Sequence, residues 1–189
     1  MSLDFIALDF ETANQARGSV IQLGIARILD GKITKTASTF ITPPPGLERF
    51  DWNCTRVHGI KPKDVVGAPD WPSILARITK FAGNLPLLGH NVSVERSCIV
   101  QASAAHGITP PAFDYFCTLK VARQHYNTEP SHSLGKLSAS IGLPAFAHHE
   151  ALADAVACAN LVLRVAEERR VTTLGQLGVG WLDSRRRAA

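Results

Sequence analysis

Phe5-Ile6-Ala7-Leu8-Asp9-Phe10-Glu11 is a run of mainly bulky apolar residues that ends in acids, the pattern of a strand buried on both faces. After the turn-like segment NQARG (14–18), SVIQLGIARIL (19–29) reads as a second strand and KITKTASTFIT (32–42) as a third. The Asp30-Gly31 pair between them is a hairpin signal. Three meandering strands therefore open the chain. Pro43-Pro44-Pro45 stops the third, and residues 44–70, rich in Pro, Gly, Asp and Asn, read as irregular.

From there helices and strands alternate. Trp71–Phe81 has helical spacing, with Ile74, Ile78 and Phe81 on one stripe. PLLGH (86–90) is a short strand, and Val94–Ala105 a helix. AFDYFCTLKVARQHY (112–126) passes from strand into helix, and SLGKLSASIG (133–142) is a short helix ended by Gly142. Glu150–Arg170 is a long helix preceded by His148-His149. This order predicts an α/β fold, a sandwich around one central sheet. The chain divides into a domain over residues 1–170 and a C-terminal extension or linker remnant over 171–189. That extension reads either as a last turn that packs back or as a linker to a further domain, with the final eight residues favouring the linker.

Composition narrows the class. With 189 residues, 46% hydrophobic and 19% charged, the chain is neither disordered, collagen-like nor a coiled coil. No apolar run approaches the roughly 20 residues of a membrane span. Asp4, Asp9 and Glu11 stand where a secretory signal needs a cationic start. Cys54, Cys98, Cys117 and Cys158 are widely spaced with no CxxC pair, as expected for reduced thiols of a cytoplasmic protein. A formal charge of +4, much of it in Arg169-Arg170 and Arg185-Arg186-Arg187, favours polyanionic partners weakly.

Asp9 and Glu11 are two apart on the first strand, so both leave the same face, while Ile6, Leu8 and Phe10 take the other. Two carboxylates at the end of a buried strand repel one another and lose hydration. A divalent cation compensates best, although a strand end emerging into solvent accounts for the pair as well. Asp154 lies on the apolar face of the long helix, among Ala151, Ala155 and Cys158. A first-turn acid complements the helix dipole, which does not explain its facing the sheet. Gly89-His90-Asn91 ends a strand and opens a helix with Glu95 near its first turn. Asn91 or Ser93 as helix cap, with Glu95 as dipole partner, is the structural alternative there.

These residues resemble a known family. DFET at Asp9–Thr12, GHN followed by an acid at Gly89–Glu95, and H-x4-D from His149 to Asp154 are similar to the three motifs of the DEDDh, DnaQ-like 3′–5′ exonucleases. That superfamily includes the DNA polymerase III epsilon proofreading subunit. VHGI at Val57–Ile60, CTLKVAR at Cys117–Arg123 and SHSLGKL at Ser131–Leu137 match as well, so the resemblance covers about residues 4–165. It implies a ribonuclease H-like fold: a five-stranded mixed sheet, its first three strands antiparallel, with helices on both faces. It also implies two divalent cations, Mg²⁺ or Mn²⁺, held by Asp9, Glu11, Glu95 and Asp154. In that scheme Asp9 bridges both metals, Glu11 and Asp154 complete one site, Glu95 serves the other, and His149 is the general base. Phe10, Glu11, Thr12 and the loop around His58 would hold the terminal nucleotide, and Asn91 would line the path of the strand.

The implied activity is hydrolysis of phosphodiester bonds at the 3′ end of single-stranded or frayed DNA, or of RNA. The implied partners are nucleic-acid ends and a DNA polymerase or an additional domain. The chemistry suits the residue types, because hard cations take carboxylate oxygens and a histidine accepts a proton near neutral pH. One departure falls on a ligand. The family usually reads H-N-A-x-F-D where this chain has His90-Asn91-Val92-Ser93-Val94-Glu95. The extra methylene moves the carboxylate by about 1.5 Å, and misplacement by about 1 Å can cost a hundredfold. Val94 in place of the aromatic would leave room for the helix to settle back. Glu95 keeps a second reading open: a catalytically impaired module that binds nucleic-acid ends or associates with a polymerase.

Overall fold

The computed structural model describes residues 3–182. Strands β1 (Phe5–Thr12), β2 (Val20–Leu29) and β3 (Lys32–Phe40) form the antiparallel meander. The β2–β3 turn is made by Asp30 and Gly31, with φ of 49° and 70°, the left-handed pair that an Asp-Gly hairpin turn requires. Strands β4 (Leu87–Gly89) and β5 (Tyr115–Cys117) add in parallel beside β1, giving the order β3-β2-β1-β4-β5. This is the five-stranded mixed sheet that the resemblance implies.

The sheet separates two apolar layers. On one side Ile6, Leu8 and Phe10 pack with α2 (Trp71–Ala82) and α3 (Ser93–Ala105), around a buried Trp71 whose Nε1 donates to Ser103 Oγ at 2.9 Å. On the other, Phe5, Ala7, Ala26 and Ile28 meet α4 (Thr118–His125), α5 (Leu134–Ser140) and α6 (Ala151–Glu168). The alternation along β1 thus sends Asp9 and Glu11 toward the α6 side. Helices α2 and α6 lie where their apolar periodicity predicts.

Residues 44–70 differ from the irregular stretch expected. They contain α1 (Trp52–His58) and a 3₁₀ turn over Pro62–Val65. Helix α1 buries none of its residues, and its ends are fixed instead by Asp51, which accepts from the Asn53 N–H, and by Gly59 at φ 77°. Caps stabilise such a helix without any apolar stripe, so hydrophobic periodicity could not reveal it.

The segment after α6 packs back. A short helix, α7 (Leu174–Leu177), buries both leucines in the α6-side core. Trp181 forms an antiparallel bridge with Phe116, and the Cys117 N–H donates to the Gly180 carbonyl at 2.7 Å. Of the eight residues read as linker, Leu182 is bonded to the Tyr115 carbonyl at 3.1 Å. The other seven, including Arg185-Arg186-Arg187, lie outside the described residues.

Candidate active site

The site forms where the start of α6 descends onto the middle of the sheet. Gly24 on β2 lies opposite Asp9 on β1. A Cβ at Gly24 would stand 2.1 Å from the Ala151 carbonyl carbon and the Leu152 nitrogen, so only a bare Cα admits the helix at this height. Glu150 caps α6 by accepting from the Ala153 N–H at 2.8 Å. One turn on, Asp154 is 6% exposed and faces the strand acids. Oxygens of Asp9, Glu11 and Asp154 all lie within 4.8 Å of one another.

Both Asp154 oxygens are held. Oδ1 lies 2.7 Å from His148 Nδ1, and Oδ2 accepts the His149 N–H at 2.7 Å. His149 itself sits at φ 68°, a conformation costly for a residue with a Cβ. Its ring is exposed at the helix entrance and stacks on His148, with centroids 3.9 Å apart.

Glu95 comes from the first turn of α3 and is 4% exposed. Its Oε2 is buried with no hydrogen-bond partner among the described residues. The carboxylate lies over Gly89, where a Cβ would stand 2.9 Å from Oε2. The missing side chain of Gly89 is the space that takes up the longer Glu, while Val94 packs half-buried in the layer beneath. Glu95 is outside the three-acid group. Its charge still acts on Asp9, second only to burial among the causes that hold the Asp9 carboxyl well above its ordinary range.

The remaining candidates are distributed around these acids. Phe10 turns away, 8% exposed, with its ring 5.9 Å from Trp71, so only its backbone faces the site. His58 Nε2 bonds the Thr12 carbonyl at 3.2 Å, and its Nδ1 accepts from the Ile60 N–H at 3.0 Å. These bonds assign the neutral ring with its proton on Nε2, and burial lowers the His58 pKa. Glu11, Thr12 and His58 line a pocket of about 240 Å³ with Arg17, Cys54 and Val57. Asn91 is exposed at φ 74°. Neither Asn91 nor Ser93 caps α3: the cap position is Val92, and Ser93 Oγ donates to Asn91 Oδ1 at 2.9 Å instead.

Three contributors carry weaker sequence signals. His90, in the middle of GHN, bonds the His132 carbonyl through Nε2 at 2.8 Å and Thr118 Oγ1 through Nδ1 at 2.9 Å, tying the end of β4 to the loop before α5. His148 was visible only as half of a histidine doublet. Gly24 is a glycine inside a strand pattern, which marks close backbone approach.

Burial and mutual repulsion push Glu11 up to about 8, with burial first and then Asp154 and Glu150. Burial brings Glu95 to about 8 as well. Among the described residues neither Asp9 nor Glu11 is paired with a lysine or arginine. Crowded hard oxygens without a cationic partner, and a buried lone carboxylate oxygen beside them, fit divalent cations. The metal-free protein should therefore lose stability as pH rises. Glu11 and Glu95 have folded-state pKa values raised from 4.5 to about 8, so the native state binds more protons than the unfolded state between those limits, and unfolding free energy falls across that window. Thermal melts in chelator from pH 5 to pH 8 should show the decline.

An exonuclease family model, that of RNase T, matches residues 6–162. The chain belongs to the RNase T/DEDDh exonuclease family. The DNA polymerase III PolC-type protein of Caldanaerobacter subterraneus subsp. tengcongensis is 26% identical over 167 residues, covering 87% of this chain and 12% of that protein. DNA polymerase III subunit epsilon of Aquifex aeolicus is also 26% identical over 167 residues, covering 87% of this chain and 81% of the relative. This family member thus spans about one-eighth of the PolC-type relatives' length. Among solved structures, Exonuclease X in complex with 5′ overhanging duplex DNA superposes with a TM-score of 0.68 at 21% identity, over 89% of this chain and 94% of that one. The nuclease domain of 3′hExo bound to rAMP gives 0.74 at 17% identity, over 88% and 93%. Likeness at this level establishes the ribonuclease H-like fold.

Proposed function

We propose that this family member is a metal-dependent 3′–5′ exonuclease of proofreading or repair type that removes nucleotides from single-stranded or frayed DNA ends, and from RNA ends. The observation that carries the reading is the convergence of Asp9, Glu11 and Asp154 oxygens within 4.8 Å, brought from a strand and a facing helix. Asp9, Glu11 and Asp154 would hold one cation, and Asp9 with Glu95 a second. Bound Mg²⁺ or Mn²⁺ supplies an activated water and stabilises charge on the phosphoryl and leaving 3′ oxygens.

The chain's own residues do the rest. Burial and the neighbouring His148 lower the His149 pKa, which keeps the imidazole neutral and able to accept a proton near pH 7. The His149 N–H fixes Asp154 Oδ2. Thr12 and His58 line the pocket beside Glu11, where a terminal nucleotide would rest, and His58 spends both ring nitrogens on the backbone, so it offers its ring rather than a free donor. Exposed Asn91 would lie along the strand. The complexes of similar proteins, one with duplex DNA and one with rAMP, support nucleic-acid ends as substrate, and similarity to polymerase III proteins supports a polymerase as partner. Four unpaired thiols suit a reducing compartment, the cytoplasm. No helix among the described residues is long and apolar enough to cross a membrane.

A 5′-labelled single-stranded oligonucleotide tests the reading. The expected result is a ladder shortening from the 3′ end in Mg²⁺ or Mn²⁺ and none in chelator. Glu95, standing where the family usually carries Asp, favours the second reading, an end-binding module without hydrolysis. Intact oligonucleotide with folded protein in both metals, and cleavage gained in Glu95→Asp, would establish that alternative.

A further inference from the structure

Helix α1 buries none of its residues, so it adds little to the core, yet it is fixed beside the acids. Both of its ends are bonded to the two residues that follow Glu11. The Asp51 N–H donates to the Ala13 carbonyl at 2.7 Å, and His58 Nε2 bonds the Thr12 carbonyl at 3.2 Å. Trp52 with Arg56, and Asn53 with Val57, are each one turn apart and exposed, and together they form the solvent face of the helix. Asn53 and Val57 are its inner row, since they also line the pocket beside Glu11. Trp52 and Arg56 are the outer row. Trp52 is 69% exposed, and the Arg56 guanidinium lies over its ring, 4.9 Å from the centroid. The cation covers one face of the indole and leaves the other open to solvent.

An open aromatic face beside a cation is a surface on which unpaired nucleobases stack. The local charge suits a polyanion. Asp51, Asp64 and Asp70 spend their carboxylates on the N–H groups of Asn53, Lys61 and Ser73, whereas Arg56, Lys61 and Lys63 are exposed and make no salt bridge among the described residues. We propose that Trp52 and Arg56 form a stacking site for an unpaired base of the complementary strand, so that recessed or frayed duplex ends are preferred over blunt ones. The choice of strand follows from the order of the two rows. The pocket takes the terminal nucleotide, so the strand being cut stops at the inner row, and a base on the outer row comes from the other strand. That choice rests on the exonuclease reading of the pocket, whereas the stacking itself does not.

Fluorescence reports the site without an activity assay. The probe is 2-aminopurine, which dims when it stacks, placed as the first unpaired base of the complementary strand, and Ca²⁺, which also takes carboxylate oxygens, stands in for Mg²⁺. The expected result is quenching on binding, with the recessed duplex bound at least about fivefold more tightly than a blunt one. Trp52→Ala, which removes a side chain that buries little, should melt as the wild type does, lose the quenching, and bring the recessed and blunt affinities together. Trp52→Phe should restore both signals. No quenching in the wild-type chain, or quenching and preference that persist in Trp52→Ala, overturns the site and leaves the face to a protein. Equal weakening of single-stranded and recessed DNA in Trp52→Ala assigns the base to the cut strand and overturns the choice of strand. Shortening from the 3′ end in Mg²⁺ without any Trp52-dependent quenching refutes the stacking site and leaves the exonuclease reading standing. Trp52-dependent quenching with no shortening in Mg²⁺ or Mn²⁺ does the reverse.

Discussion

Asp9→Asn is expected to abolish nucleolytic activity and to stabilise the metal-free protein. Asp9 is the residue on which the charges of Glu95, Glu11 and Asp154 converge, in a site where burial already disfavours ionisation. Removing its charge relieves that repulsion, so the melting temperature in chelator should rise by about 2–4 °C for each kcal/mol gained. Activity should fall about a thousandfold or more, since cation stabilisation of the transition state is worth several kcal/mol and each tenfold in rate costs about 1.4 kcal/mol. The wild-type protein should gain about 2.7 kcal/mol when Mn²⁺ is supplied at a hundred times its dissociation constant, and the variant should gain nothing. Opposite signs for stability and activity are the signature of groups held together for function. An Asp9→Asn protein that is no more stable in chelator than wild type would mean that the acids are not strained in the absence of metal.

Gly24→Ala has the second largest expected effect and acts through the backbone. The added methyl meets main-chain atoms of Ala151 and Leu152 at about 2.1 Å, which no rotamer change relieves. Either the start of α6 lifts or β2 bends. Overpacking of this kind costs about 1–3 kcal/mol, and lifting α6 carries Asp154 away from Asp9 and Glu11. Displacement near 1 Å is enough to lose about a hundredfold in rate. The variant should keep its far-ultraviolet circular dichroism, melt several degrees lower, and lose most of its thermal response to Mn²⁺. Full Mn²⁺ response in a destabilised protein would show that α6 holds its place and that the strand yields instead.

The fold was legible because its main signals are local. Alternation in Phe5–Glu11, the Asp30-Gly31 turn and the apolar stripes of α2 and α6 are each written within a few residues, and each appears as read. Helix α1 was not legible because it buries nothing. Its signal was a pair of caps, Asp51 and Gly59, residue types that turns and loops also favour.

The sequence by itself determined which carboxylates share a face of β1, that Asp154 sits on the apolar side of its helix, and which family the chain resembles. These follow from the periods of two in a strand and 3.6 in a helix, and from motif order. Only the tertiary structure decided how the pieces meet. It lowered α6 onto Gly24, set Glu95 over Gly89 outside the three-acid group, and gave Asp154 to His148 as well as to the His149 backbone. Such contacts join residues far apart in the chain, and their distances depend on the volume between packed layers, which no local pattern encodes.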